Sequence, residues 1–179
     1  MGLEAYRIAV KLKEKPKKED IKIAILNISG SIVEESMYGD ISIEVKFEEG
    51  FLEILLEDND EKQAVLNNVS VTEKSNNKNQ QSENSRVRIY IRFAKPNSLN
   101  LVDRVMQFLQ RLDMVYSIDG ILDLNSKQKI DLNSYNDFRD RVRLAKEEFE
   151  QWFPGIPYPI KCQDVFSVYR ELNPDKVKE

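Results

Sequence analysis

Glu44, Glu48, Glu53, Glu57 and Asp58 set five carboxylates within fifteen residues, and the wider window from Glu34 to Glu61 holds eleven acidic residues against one basic residue, Lys46. Carboxylates grouped in this way support two chemistries. Their hard oxygen atoms can collect Ca²⁺ or Mg²⁺, and two or more converging on a metal with open coordination can run a metal-dependent phosphodiester hydrolysis. Alternatively the group acts through its field. An uncompensated negative lobe carries a potential of several kT and attracts a positively charged partner. The whole chain is −4, so the residues outside the window sum to +6. Charge is partitioned along the sequence. A face kept acidic only for solubility would normally interleave lysines, because like charges opposed across strands are destabilising.

A second group is cationic. Arg86, Arg88 and Arg92 alternate along one stretch with Tyr90 among them. Arginines beside an aromatic ring on a sheet can follow phosphates and stack a base of single-stranded nucleic acid. The stretch lacks the glycine-flanked aromatic signature of RNA-binding sheets. Without a net basic excess the chain is a poor match for a polyanion, and the simpler expectation is that these arginines pair with carboxylates on neighbouring strands.

Absences narrow the chemistry further. The chain has no histidine, which removes Ser-His-Asp and Cys-His catalysis, imidazole metal sites and imidazole proton transfer at neutral pH. One cysteine, Cys162, excludes an internal disulfide and a four-thiolate zinc site, and without a histidine partner it reads as a small buried hydrophobe in a strand. Asp119, Asp123, Asn125 and Asp131 resemble scattered ion ligands, but Lys127 takes a liganding position and no glycine follows, so the calcium-loop pattern fails. No phosphate-cradling glycine loop is present, and no cofactor or metal site is implied. The N-terminus lacks a charged leader followed by an apolar stretch, no run approaches the ~20 apolar residues of a membrane span, and Tyr6 breaks the myristoylation pattern begun by Gly2. A cytoplasmic protein, in a reducing compartment and without a membrane partner, is expected.

The elements that must position these groups follow from periodicity. Tyr6, Ile8, Val10 and Leu12 alternate with Arg7, Lys11 and Lys13, which predicts a half-buried strand. Ile21, Ala24, Ile25 and Ile28 recur at helical spacing, with Gly30 as the stop. Between Ile32 and Asp58 the chain reads as strands: Ile41, Ile43, Val45 and Phe47, then a turn at Glu49-Gly50, then Leu52, Ile54 and Leu56. Residues 73–85 carry no apolar side chain and are expected to form a mobile polar loop. Val87, Ile89, Ile91 and Phe93 predict another strand. Ser98 or Asn100 should cap a helix through Leu112, Met114 to Ile118 reads as a strand, and a hairpin is expected from Leu122 to Leu132. Ser134 and Asp137 are spaced as a capping box. Behind them Phe138, Val142, Ala145, Phe149, Trp152 and Phe153 form the apolar stripe of a helix, with Arg139, Asp140, Arg141 and Arg143 on its solvated face. Pro154-Gly155 ends that helix, the Ile156–Pro159 segment should be extended, and Asp164 should cap a last short helix ending before Pro174.

These elements predict one α+β domain over residues 1–179, with an antiparallel or mixed sheet covered on one face by three or four helices. The functional expectation is a non-enzymatic binding or inhibitor protein. Its most concrete form is an immunity or antitoxin-like protein whose carboxylates at Glu44, Glu48, Glu53, Glu57 and Asp58 neutralise a basic protein such as a nuclease toxin. A carboxylate-based metal enzyme and a nucleic-acid binder using Arg86, Arg88, Tyr90 and Arg92 are the alternatives.

Overall fold

A computed structural model of the chain describes residues 4–38, 40–56, 86–94, 97–156 and 162–174. Seven strands form one sheet: β1 (Ala5–Leu12), β2 (Ser31–Tyr38), β3 (Asp40–Phe47), β4 (Gly50–Leu56), β5 (Arg86–Arg92), β6 (Ile118–Asp123) and β7 (Lys129–Ile130). Their order is β2-β3-β4-β5-β1-β6-β7, and every neighbouring pair is antiparallel. The first strand therefore lies inside the sheet, between β5 and β6. Four helices complete the described residues: α1 (Lys18–Asn27), α2 (Leu101–Tyr116), α3 (Tyr135–Trp152) and α4 (Cys162–Leu172). This is the expected α+β architecture with a purely antiparallel sheet.

The alternation seen in the sequence decides which face is covered. Tyr6, Ile8, Val10 and Leu12 of β1, Leu52, Ile54 and Leu56 of β4, and Val87, Ile89 and Ile91 of β5 are all buried. They meet Ile21 and Ile25 of α1, Val105, Phe108 and Leu112 of α2, and Phe138, Val142 and Phe149 of α3 in one apolar cluster. The Phe138 ring stands edge-on to Tyr6 at 5.8 Å between centroids, a favoured geometry for aromatic pairs. The alternate residues, among them Arg7, Ala9, Lys11, Phe51, Glu53, Leu55, Arg88, Tyr90 and Arg92, fall on the opposite face of the sheet and are half-exposed. No described helix covers that second face, and it carries most of the charged residues singled out in the sequence.

Several local expectations are corrected. Helix α1 ends at Asn27 with Ile28 as its C-cap, and the left-handed residue that stops it is Ser29, not Gly30. Ser29 adopts φ 64°, its N–H bonds Leu26 O at 3.1 Å, and Gly30 N–H bonds Ile25 O at 3.0 Å, the paired bonds of a Schellman ending. Gly30 is needed for a different reason: a Cβ there would lie 2.7 Å from Ile25 and 2.9 Å from the Phe47 ring. Residues 114–116 are helical, not strand. Tyr116 extends the buried stripe of α2 by one turn, and only at Ser117, φ 52°, does the chain reverse into β6, where Asp113 accepts the Ile118 N–H at 2.7 Å. The hairpin that follows begins at Ile118, earlier than expected.

The Ser134 hydroxyl makes no capping bond, and Asp137 pairs instead with Arg141. Trp152 is 65% exposed and leaves the core, while Phe153 keeps its place by stacking between Phe149 and Tyr169. Cys162 opens α4 and does not sit in a strand, so the last helix starts two residues before Asp164. The expected loop at 73–85, and residues 157–161 with most of the Pro-rich stretch, lie outside the described residues.

Candidate functional site

The open face of the sheet is divided by charge, and the strand order does the dividing. The β3–β4 register places Glu44 directly opposite Glu53, and the β2–β3 register places Glu34 opposite Glu44. Three acidic positions thus run side by side across β2, β3 and β4. Glu53 is compensated: Arg92 ion-pairs with it, and the Ser42 hydroxyl donates to it at 3.0 Å. Glu44 and Glu48 have no ion pair among the described residues. Lys46, the one basic residue of the acidic window, sits over the Phe51 ring at 5.8 Å. Two further acids of the window are also matched internally. Lys18 and Lys22 hold Glu35. Arg104 grips Glu49, with Nε 3.0 Å from each carboxylate oxygen, and that bond holds the Glu49 carboxyl below the usual carboxylate range. Glu57 and Asp58 lie outside the described residues.

Across β5 and β1 the face turns basic. Arg7 stands opposite Tyr90, Lys11 opposite Arg86, and Ala9 opposite Arg88. Arg92 is committed to Glu53 and lies 5.8 Å from the Tyr90 ring centre, over its face. So the expected pairing of arginines with acids of the neighbouring strand is realised at Arg92. The structure adds Arg7, Lys11 and Lys129 to the cationic side. The first two read in the sequence only as the polar face of a strand, because alternation says which face a residue takes but not which strand lies beside it.

The turn between β3 and β4, which presents Glu48 and Glu49, is pinned from the far end of β5. Asn97, 3% exposed, accepts the Phe51 N–H at 3.0 Å and donates to Phe51 O at 3.2 Å and Arg92 O at 2.6 Å. Its own carbonyl accepts from Lys146 at 2.7 Å. Gly50 adopts φ 143° beneath it, a conformation suited to glycine.

A second polar centre lies on the helical side. Asp123, 1% exposed at the end of β6, accepts the Tyr6 hydroxyl at 2.8 Å and the Ser126 hydroxyl at 2.6 Å through Oδ2. Its Oδ1 accepts the N–H groups of Asn125 at 2.8 Å and Ser126 at 3.1 Å, and the Arg141 guanidinium stands 3.7 Å away. Burial pushes the Asp123 carboxyl up, but the bonds from Ser126, Tyr6 and the two N–H groups outweigh it and leave the carboxyl below its usual range. Burial, then the bond to Asp123, pushes the Tyr6 hydroxyl far above its usual value.

This centre corrects the reading of two residues. Asp123, which the sequence shows only among scattered acids, is the buried end of a hairpin turn, and Arg141, expected on the solvated face of its helix, points inward from α3, while Arg143 stays in ordinary surface pairs with Asp140 and Glu147. Among the described residues no three Asp, Glu, His or Cys side chains converge as metal ligands would, and no helix is long and apolar enough to cross a membrane.

The same centre sets the pH response. A lowered Asp123 carboxyl stabilises the fold above about pH 4 and is lost as pH falls, and a raised Tyr6 hydroxyl stabilises it below about pH 10 and is lost as pH rises. With no histidine in the chain, unfolding free energy from urea titrations should stay flat from about pH 5 to about pH 9 and fall on both sides. A step of more than about 1 kcal/mol between pH 6 and 7.5 would contradict this.

No protein-family model, curated protein sequence or solved structure matches this chain.

Proposed function

We propose that this protein is a non-catalytic binding protein that docks a basic protein partner on the β2–β4 half of its open sheet face, in the manner of an immunity or antitoxin-like inhibitor. One observation carries the reading: Glu44 stands in cross-strand register with Glu34 on one side and Glu53 on the other, yet Arg92 compensates only Glu53. Opposed like charges cost stability. A cation supplied by another molecule would remove that cost and form a charge-assisted hydrogen bond. Because Arg92, Arg104, Lys18 and Lys22 already engage Glu53, Glu49 and Glu35, the docking role rests on Glu44 and Glu48. Electrostatic contacts of this kind chiefly accelerate encounter and select against wrong partners.

The test is capture from native lysate at low salt by immobilised wild-type protein and by the Glu44→Gln/Glu48→Gln variant. Wild type should retain a basic protein that elutes with added salt, and the variant should retain several-fold less of it. Equal retention by the two would overturn the proposal. A Glu53→Gln control should instead lower stability, because it removes the ion pair with the half-buried Arg92.

A further inference from the structure

We infer that the basic half of the open face holds a binding site for a small amphipathic organic anion, a carboxylate or phosphate carried on an apolar body. A concavity of about 400 Å³ lies over β5, β1 and β6, within the usual size of small-ligand sites. Lys11, Arg86, Arg88 and Lys129 line it, against one acid, Asp119. Lys11 is bound to that acid at 2.5 Å. The side chains of Arg86 and Lys129 make no hydrogen bond or ion pair among the described residues, so cationic charge remains for an incoming group. The floor is apolar and shallow: Ala9, Gly120, Leu122 and Leu124.

Gly120 helps to keep this hollow open. It lies where the β1–β6 register shifts, with Lys11 facing Gly120 and Leu12 facing Ile118, and a glycine inside a strand often marks such a bulge. It needs no positive φ, and a Cβ built there meets nothing within 4 Å, so the space above it is free for an approaching group. The β1 register sets Gly120 opposite Lys11, which in turn faces Arg86, and sets Leu122 opposite Ala9, which faces Arg88. Small residues thus form the bottom of the hollow and cations form its wall. An anionic head would meet Arg86 and Lys129 while its apolar body covers Gly120, Ala9 and Leu122. The site is separate from Glu44 and Glu48 and stands whether or not they dock a protein.

The experiment is NMR titration of the ¹⁵N-labelled chain with octanoate, 1-naphthyl phosphate, inorganic phosphate and a ten-nucleotide oligothymidylate. Either or both of octanoate and 1-naphthyl phosphate should shift the Ala9, Gly120 and Leu122 amides saturably at millimolar concentration, and the stronger of the two identifies the preferred head group. Inorganic phosphate should bind at least about tenfold more weakly, since it cannot cover the floor. Gly120→Leu, which fills the floor without touching the core, and Arg86→Gln should each weaken binding about tenfold or more with an unchanged unfolding midpoint. If Gly120→Leu misfolds, Arg86→Gln alone decides. Glu44→Gln/Glu48→Gln should leave binding unchanged. Absence of saturable shifts with both organic anions, oligothymidylate as the only binder, or full binding by Arg86→Gln would each overturn the inference.

Discussion

Replacing Asp123 with alanine should destabilise the fold by about 3–5 kcal/mol, the usual cost of removing one partner from a buried charged network. The carboxylate is the common acceptor for the hydroxyls of Tyr6 and Ser126 and for the N–H groups of Asn125 and Ser126. Its removal leaves the Tyr6 hydroxyl unpaired beside Phe138 and leaves Arg141 inside the fold with Asp137 as its remaining carboxylate. Arg141 Nη1 is already buried without a hydrogen bond, so little slack exists to absorb the loss. Asp123→Asn should cost less, because the amide oxygen can still accept two of the four bonds. Tyr6→Phe should cost about 1 kcal/mol, one hydrogen bond's worth. Urea unfolding measures all three. A loss below about 1 kcal/mol for Asp123→Ala would mean that the hairpin holds without this acceptor.

Gly50→Ala should cost about 3 kcal/mol and lower the melting temperature by roughly 6–12 °C for a chain of this size. Two effects combine. The backbone at φ 143° is strained for any residue with a Cβ, and that Cβ would press on Asn97, 2.8 Å from its Cγ. Asn97 cannot retreat without giving up its bonds to Phe51 and Arg92, so the β3–β4 turn and the end of β5 loosen together. Asn97→Ala should therefore be costly alone, and the double variant should be less costly than the sum, because both changes break one unit. Differential scanning calorimetry of the four proteins gives the coupling directly. Simple additivity would show that the glycine and the asparagine act independently.

The strands and their covered face were legible in the sequence because period two is a local property. Tyr6 to Leu12, Ile41 to Phe47, Leu52 to Leu56 and Val87 to Phe93 each declare which side is apolar, and the burial follows. Strand order was not legible. Nothing between Leu12 and Arg86 says that β1 lies beside β5, since that pairing depends on how whole elements pack. For the same reason Arg7 and Lys11 could not be joined to Arg86 and Arg88 beforehand. The misjudged ends of α1 and α2 have a common cause. Ser29 and Ser117 take the left-handed φ of 64° and 52° that propensity reserves for glycine, and Trp152 continues a stripe on paper after α3 has run past the edge of its core. Asp123 was noticed as an acid but not as a buried one, because its partners Tyr6 and Arg141 are remote in sequence.

The acidic window behaves differently from its appearance in the sequence. Among its described side chains Glu35, Glu49 and Glu53 are matched from within, and Glu44 and Glu48 keep no ion pair. A docking role for these two makes a kinetic statement. Stopped-flow association of the captured partner, followed from about 20 to 300 mM salt, tests it most directly, because screening over a Debye length of about 10 Å at 0.1 M acts on charges that solvent reaches, such as the exposed Glu48 and the half-buried Glu44. The account predicts that the association rate falls steeply with salt for wild type and by a clearly shallower slope for Glu44→Gln/Glu48→Gln, with the two curves meeting at high salt. Parallel curves with equal rates at low salt would contradict it.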